Sequence, residues 1–493
     1  MSRVSRPLVT LGVMTLAWGS GCNVGPDYMR PPTAATDAVR FAWQPDGLTD
    51  VNDAEGASAW WRSFNDPVID DLVTKVLAKN TDLLAAAAAV LRAEALLRQA
   101  QGMRLPDLSY QAAVSRDKMS FGGAFTFLNT AYPHGFTVSY VADLFGRLRR
   151  SERAARWDLL ATEDDRRVLL HALVAQAVQL RIQIATQQRL TTVAQATIAN
   201  WESALEITQN RYEGGLVSPL DVYFARQNLT SAKVRYNVVE QQRHLLGHAL
   251  SVLCGERPQT QDLPRSLAQF DRLPPLPPLA PVPLGLPAAL LDRRPDVHAA
   301  EMRLAAATER VGVSIAQMYP DLTFLLSGGY QPFDRGDILN SQNQVYSAAM
   351  RLAAPLYRGG QLKAGVKAAR AAVEQAAQRY AGEVLTAFQE VEDALMSQRL
   401  LQERIAYLGE GFQLAREAEA LARSRYATGV EPMLVVLETE RNRRLAENEL
   451  VLAQGRLWET RVQLYLALGG DWLEAPDQDP TEPDGEAREK QDS

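Results

Sequence analysis

Cysteine is nearly missing from this chain of 493 residues, with only Cys22 and Cys254 present. That count excludes a disulfide framework and a thiolate metal cluster. Histidine is scarce too, at five. No glycine-rich phosphate loop, zinc-protease motif or nucleophile elbow occurs, so the chain is predicted not to be an enzyme and to carry no cofactor. An excess of either charge is also lacking: 52 basic residues face 58 acidic ones, for a net charge of −6. Nucleic acid is a poor partner for so balanced a surface. Beyond the N-terminus no run of 18 apolar residues appears, which predicts no membrane-spanning helix. Any span must then be made of strands. Finally, residues 147–213 contain neither glycine nor proline, and 356–431 contain no proline.

What is present begins with an address label. Arg3 and Arg6, the apolar stretch Leu8 to Trp18 and the small residues Gly19-Ser20-Gly21 read as a signal peptide over 1–21. The cysteine directly after them predicts cleavage before Cys22 and lipidation of that residue, although Gly19 stands where leucine is usual in lipoprotein signals. Asn23 in the next position favours the outer membrane over the inner one.

The rest of the chain is written twice. Compared with itself at an offset of 214 residues, Pro106-Asp107-Leu108-Ser109 meets Pro320-Asp321-Leu322-Thr323, Arg211-Tyr212 meets Arg425-Tyr426, and Gly255 meets Gly469. No insertion is needed between these points, which marks a duplication. Each half has the same grammar. In the first, 66–103 is rich in helix formers, 104–146 is punctuated, a long helix fills 147–212, Gly214-Gly215 breaks it, and a further helix covers about 217–253. The second half repeats this with helices near 288–318, 360–427 and 432–468. A 66-residue helix is about 100 Å long and cannot stand on propensity alone. Leu169, Leu173, Leu180, Ile184, Ala194, Ile198 and Leu205 fit a coiled-coil seam. The run Glu163-Asp164-Asp165-Arg166-Arg167 is expected mostly on solvated faces.

Period-two alternation marks the strands. Phe136, Val138, Tyr140, Ala142 and Leu144 alternate with Thr137, Ser139, Val141 and Asp143, and Met350, Leu352 and Ala354 alternate with Arg351 and Ala353. Such patterning gives a strand one lipid face and one wet face. With partners at 107–116 and 321–330 and loops over 117–134 and 331–344, four strands per chain are predicted. Four strands cannot close a barrel, and an open edge in lipid is costly, so an oligomer is required. The domain plan is therefore 1–21 signal peptide, 22–65 lipidated segment, 66–255 first repeat (helix, two barrel strands, long helix, helix), 256–287 connector with nine prolines, 288–473 second repeat and 474–493 acidic disordered tail.

The ordered series Cys22-Asn23-Val24-Gly25-Pro26-Asp27-Tyr28, Trp60-Trp61 with Phe64 and Asp66-Pro67, Asp143-Leu144-Phe145-Gly146-Arg147, Gly285-Leu286-Pro287, Arg293-Arg294-Pro295-Asp296, Pro355-Leu356-Tyr357 and Ala467-Leu468-Gly469-Gly470 resembles the TolC-like outer-membrane efflux proteins, in their lipoprotein branch of OprM/NodT type. The likeness covers 22 to about 473. It implies a mainly α fold with a small β part, a long coiled-coil helical tube plus a trimeric transmembrane β-barrel. It also implies a homotrimer anchored in outer-membrane lipid and extending into the periplasm, a periplasmic adaptor (membrane fusion) protein and an inner-membrane pump of the proton-driven kind. The function implied is a passive export channel with a gated periplasmic tip, near the turns at Gly214-Gly215 and Gly429. The constricting residues map onto Leu434, Glu438 and Arg441, which spacings of four and three place on one helical face. Glu438 stands where aspartate is usual in the family. A solvated i,i+3 ion pair is the plainer reading of Glu438 and Arg441.

Other features have bland explanations. His244 and His248, with Glu240 before them, could place metal ligands along a helix, but a surface face is the better reading, and no metal is expected. Cys254 ends a helix as a buried, inert thiol. Trp60 and Trp61 are expected to pack rather than to form a membrane belt. The competing function is a lipid-anchored periplasmic coiled-coil scaffold or adaptor, which would show one helical hairpin flanked by compact β domains, not two matched halves.

Overall fold

In the computed structural model, residues 23–31, 42, 60–121, 125–258 and 293–469 are described. The segment read as a signal peptide, Cys22, most of segment 22–65, most of the proline-rich connector and the acidic tail lie outside these residues.

The described elements are a short 3-10 turn at Trp60–Phe64, then α1 (Pro67–Lys79), α2 (Thr81–Gly102), β1 (Asp107–Ala112), β2 (Ser115–Phe121), β3 (Phe125–Ala131), β4 (His134–Ala142), α3 (Arg147–Glu213) and α4 (Pro219–Leu253). The second half follows with α5 (Pro295–Ala316), β5 (Asp321–Tyr330), β6 (Gln344–Ala353), α6 (Gln361–Ala427) and α7 (Met433–Ala467). The duplication is visible in the element lengths. Helices α3 and α6 both have 67 residues, α4 and α7 both have 35, and α2 and α5 both have 22. Each second-half helix starts 214 positions after its counterpart.

The first half is richer than its sequence suggested. Two helices precede the strands instead of one, because Asn80 ends α1 and caps α2. Its Oδ1 accepts from the amides of Asp82 and Leu83 at 3.0 Å, and its Nδ2 donates to the Leu253 carbonyl at 2.8 Å. The segment read as a loop over 117–134 holds a hairpin, β2 paired with β3. Strand β1 accordingly stops at Ala112 instead of running to 116. Helix α5 starts at Pro295, since proline suits the first helical turn; residues 288–292, where the sequence reading began this helix, lie outside the described residues.

The chain divides into two compact units. The first comprises residues up to Pro31, Leu91–Leu160 and Glu301–Gln378. It contains an antiparallel sheet in the order β1-β4-β5-β6. The registers run Leu108↔Val138↔Leu326↔Ala348 and Ser109↔Thr137↔Ser327↔Ser347, so like residues line up across all four strands. One face carries Leu108, Tyr110, Phe136, Tyr140, Phe324, Met350 and Leu352, with ring contacts of 5.0 Å between Tyr110 and Phe136 and 6.5 Å between Tyr140 and Phe324. The opposite face carries the hydroxyl row of Ser109, Thr137, Ser327 and Ser347, flanked by Asp107, Gln111, Ser139 and Thr323.

Strand β4 passes into α3 through a capped turn. Asp143 accepts from the amides of Leu148 (3.1 Å) and Arg149 (2.9 Å), and Gly146 adopts φ 77°, where a Cβ would overlap Asn23.

The second unit comprises Pro32–Val90, Ala161–Ala300 and Arg379–Ser493. Trp60, Trp61 and Phe64 are buried against Val174, Val178 and Ile182 of α3 and Trp458 and Val462 of α7, as their sequence position suggested. A second cluster packs Val68, Leu72 and Val76 of α1 on Leu173, Leu180 and Ile184 of α3 and on Leu250, Leu253 and Cys254. A third joins Val297 of α5 to Tyr380, Val384 and Val391 of α6 and Leu464 of α7. The seam residues Leu173, Leu180 and Ile184 are therefore core.

Two features of α3 add to the sequence reading. A stretch of it is long and apolar enough to cross a membrane by length and composition alone, but most of it is buried inside this protein. Its apolarity serves packing, since both the tryptophan cluster and the α1 cluster draw on it. The charge run at 163–167 is mostly solvated, as expected, with one exception. Asp164 is buried, 2.5 Å from Nδ1 of His298 and 3.1 Å from Arg167. The pattern of charges alone could not reveal a partner 134 positions away.

Candidate channel surfaces and tip

Three surfaces bear on function: the sheet, the buried anchor at its helical end, and the turns after the long helices. The sheet comes first. Its outer strands, β1 and β6, each pair with one neighbour only, which leaves two edges of backbone donors and acceptors within the described chain. Strands β4, β5 and β6 have 9, 10 and 10 residues, the length that crosses a bilayer when tilted. One apolar and one polar face complete the description of a barrel segment.

The anchor is Arg150, which sequence reasoning passed over. Its side chain is almost fully buried and uses every N–H it owns. Nε donates to Asn23 (3.1 Å), Nη1 to Glu309 and to the Pro26 carbonyl (both 2.9 Å), and Nη2 to the Gly25 carbonyl (3.1 Å) and Asp27 (3.3 Å). Gly312 of α5 gives it room, for a Cβ there would overlap the guanidinium. The residues that follow Cys22 are thereby tied to the first turn of α3. The only signal in the sequence is an arginine within Arg147-Leu148-Arg149-Arg150, a cluster that reads as surface.

The turns form the third surface. Helix α3 ends with Gly215 at φ 74° and α6 with Gly429 at φ 78°. In both, an amide reaches back five residues, from Leu216 to the Arg211 carbonyl and from Val430 to the Arg425 carbonyl, at 2.9 Å. The following helices differ. Ser218 and Asp221 form a capping box on α4, whereas Pro432 at the head of α7 offers no side-chain cap. The two halves also differ in their arginines. Arg211 crosses to the second half, donating to the carbonyls of Tyr426 (3.4 Å) and Ala427 (3.0 Å) with its guanidinium 5.0 Å from the Tyr426 ring centre. Its repeat mate Arg425 stays local and pairs with Glu431 at 3.1 Å.

Leu434, Glu438 and Arg441 lie on α7 just past this turn, and all three are exposed on the isolated chain. Arg441 donates to Glu438 at 2.9 Å along the helix. The structure thus brings two of the three together. On the inward side of the same helix, Glu440 is buried. Burial pushes its carboxyl up from the ordinary value, against the pull of Arg444 and Arg443. Glu419 of α6, also buried, is held by Arg423 at 2.6 Å and by Arg443.

The histidine pair resolves into ordinary helix chemistry. Glu240 accepts from Arg243 at 3.0 Å and sits 3.3 Å from His244, and its hydrogen bond to Arg243 holds the carboxyl below its usual value. Among the described residues no group of three or more His, Cys, Asp or Glu is placed to hold a metal ion. Cys254 is buried and unpaired with any other cysteine, and burial raises its thiol above the ordinary range.

A two-faced sheet with strands of bilayer length, spliced into helices of 67 residues, defines one protomer of an outer-membrane channel. The chain belongs to the outer membrane efflux protein family, whose model matches it twice, over residues 72–256 and again over 286–470. Those two matches are themselves 214 residues apart. The chain is 29% identical over 477 residues to the probable efflux pump outer membrane protein TtgC of Pseudomonas putida, covering 96% of this chain and 97% of that one. It is 30% identical over 432 residues to the pyoverdine export outer membrane protein OpmQ of Pseudomonas aeruginosa, covering 85% and 89% respectively. Among solved structures it is similar to the outer-membrane channel OprN, with a TM-score of 0.83 at 29% identity over 92% of this chain and all of that one. It is an outer-membrane efflux channel and not an enzyme.

Proposed function

We propose that the chain forms the exit duct of a tripartite efflux system as a homotrimer. The observation that carries this reading is the four-stranded sheet with two free edges and segregated faces. Edge closure in lipid calls for more copies, and joining β1 of one copy to β6 of the next supplies them without a new strand. Three copies would give twelve strands around a polar lumen lined by the hydroxyl row. The helices of the two repeats, 66–255 and 288–473, would continue as a tube into the periplasm, joined by the connector at 256–287. The signal peptide 1–21 would be removed and Cys22 acylated, with the Arg150 clasp holding the next residues at the sheet-to-helix junction.

The partners proposed are a periplasmic adaptor (membrane fusion) protein and a proton-driven inner-membrane pump. Transport through the duct itself would be passive. The gate is assigned to the tip, where Leu434 would form an apolar ring beside charged rings of Glu438 and Arg441. The i,i+3 pair seen within one chain is the competing reading of those charges, and it is worth only tenths of a kcal/mol in water.

Single-channel conductance in planar bilayers tests both levels. The wild-type oligomer is expected to show a small, mostly closed conductance, and Glu438→Ala/Arg441→Ala a larger one. A pore unaffected by the substitutions would keep the channel and move the gate. A properly inserted protein that never conducts would overturn the duct and favour a lipid-anchored scaffold.

A further inference from the structure

Charge is kept off the apolar face of the sheet, with one exception. Strands β1 and β2 hold a single register against β4 and β3. Ala112 faces His134, Ser115 faces Ala131, and between them the Ala113 amide donates to the Pro133 carbonyl at 2.9 Å. Side chains therefore alternate without a break from Asp107 to Phe121. The face that carries Leu108, Tyr110 and Phe136 continues to Arg116 and Lys118, which stand opposite Thr130 and Leu128. Among the described strand residues these two are the only charged ones on that face. Asp107, Asp117, Asp321 and Arg351 all belong to the other.

The face is also ordered by depth. Helices join the sheet at Asp107, Ala142, Asp321 and Ala353, and they extend into the periplasm. The β2–β3 hairpin and the β5–β6 loop thus lie at the outward end. Apolar side chains come first, then an aromatic level. There His134 stacks on Tyr330 with 5.5 Å between ring centres, and Tyr132 keeps the register by donating its amide to the Pro332 carbonyl at 2.9 Å. Cations come last. Arg116 is a diagonal neighbour of Tyr132 on the ribbon, about 7–8 Å away between Cα atoms. Arg335, from the β5–β6 loop, donates from Nε to Tyr132 Oη at 2.9 Å, with its guanidinium 5.8 Å from the ring centre.

Among the described residues, Arg116 and Lys118 have no hydrogen-bond or ion-pair partner, and Arg335 has only Tyr132. The acids of the same loop are turned elsewhere: Asp334 accepts from the Gly336 amide at 3.1 Å and Asp337 from Asn340 at 3.3 Å. Cations on a lipid-facing strand are costly at the bilayer midplane and tolerable at its rim.

We propose that this rim binds a phosphorylated glycolipid of the outer leaflet. Its phosphates would accept from Arg116 and Lys118, with Arg335 beside them, and its acyl chains would lie along Phe136, Val138 and Leu326. Arginine offers phosphate a planar fork of donors and lysine adds a point charge, so the pattern suits this headgroup better than a zwitterionic one. Free phosphate would use the cations and leave the apolar face below them unused. The assignment rests on the chain's place in the outer membrane and not on the gate or the number of copies.

The test is native mass spectrometry of the purified full-length oligomer in detergent, titrated with diphosphoryl lipid A and with phosphatidylcholine. Lipid A is expected to bind at least tenfold tighter. Arg116→Gln/Lys118→Gln should weaken it tenfold or more while leaving phosphatidylcholine unchanged, Arg335→Gln should weaken it several-fold, and Arg116→Lys/Lys118→Arg should bind as the wild type does. Both hairpin residues are exposed, so these variants fold. Arg404→Gln/Arg416→Gln, at exposed positions of α6, removes the same charge elsewhere and should change nothing. Lipid A binding that the hairpin variant leaves intact overturns the site. An equal loss in the α6 variant does so too, since charge anywhere would then suffice. Inorganic phosphate that displaces lipid A at equal concentration overturns the lipid in favour of the free ion.

Discussion

Replacing Arg150 by methionine would remove a side chain that makes five hydrogen bonds inside the first unit. The largest consequence falls on Glu309, whose side chain is 6% exposed and whose 2.9 Å partner would vanish. Removing one member of a buried pair costs about 3–5 kcal/mol, and Glu309 would keep only the half-exposed Arg153, 3.8 Å away. The lost bonds to the carbonyls of Gly25 and Pro26 also release the segment after Cys22 from α3. Two measurements follow. Denaturation of the detergent-solubilised protein should lose about 3–5 kcal/mol of stability, and limited proteolysis should cut near residues 23–31 in the variant before the wild type. The double variant Arg150→Met/Glu309→Gln should recover part of the loss, because the stranded charge is gone, yet remain sensitive to the protease. A loss under about 1 kcal/mol, within the range of a surface pair, would refute the reasoning. A double variant no more stable than the single one would refute it as well.

Other substitutions probe the remaining features. Burial alone would raise the carboxyl of Asp296, but the hydrogen bond and charge of Arg294 outweigh it and hold the group below the ordinary aspartate value of 3.8. Its contribution to stability is thus present above that value and lost as pH falls through the lower folded one. Asp296→Asn should lower the urea midpoint at pH 7, with the gap to wild type closing once pH falls well below 3.8. Cys254, raised by burial, should resist iodoacetamide at pH 8 in the native protein and label fully in denaturant. Arg211→Ala removes the cap that the first repeat places on the end of α6, and hydrogen exchange at 424–430 should quicken there while the end of α3 stays unchanged.

The sequence was most legible where a single physical cause acts over many residues. Without glycine or proline, 147–213 had no means to end a helix, and α3 fills that span from first residue to last. The 214-residue offset carried the same reading to α6 and α7. Alternation located β4 and β6 for the same reason, since both faces of a membrane strand must repeat. Legibility failed where structure depends on distant partners or mixed signals. The hairpin of β2 and β3 carries Asp117, Lys118 and Asn129 among its aromatics, so no clean alternation survives. Asp164 and Arg150 looked like surface charges because the residues that bury them, His298 and Glu309, lie 134 and 159 positions away. The tip residues were placed by resemblance to a family. Their spacing fixed only that they share a helical face.

The hydroxyl row across the sheet also says how little this wall would ask of what crosses it. Ser109, Thr137, Ser327 and Ser347 can each donate and accept, and none carries charge. At that level a moving solute would trade one set of water-like contacts for another, and charge enters this face only in the flanking rungs, at Asp107, Asp321 and Arg351. Such a row offers little friction and little recognition, so at this level a duct built from it would leave the choice of cargo to whatever loads it.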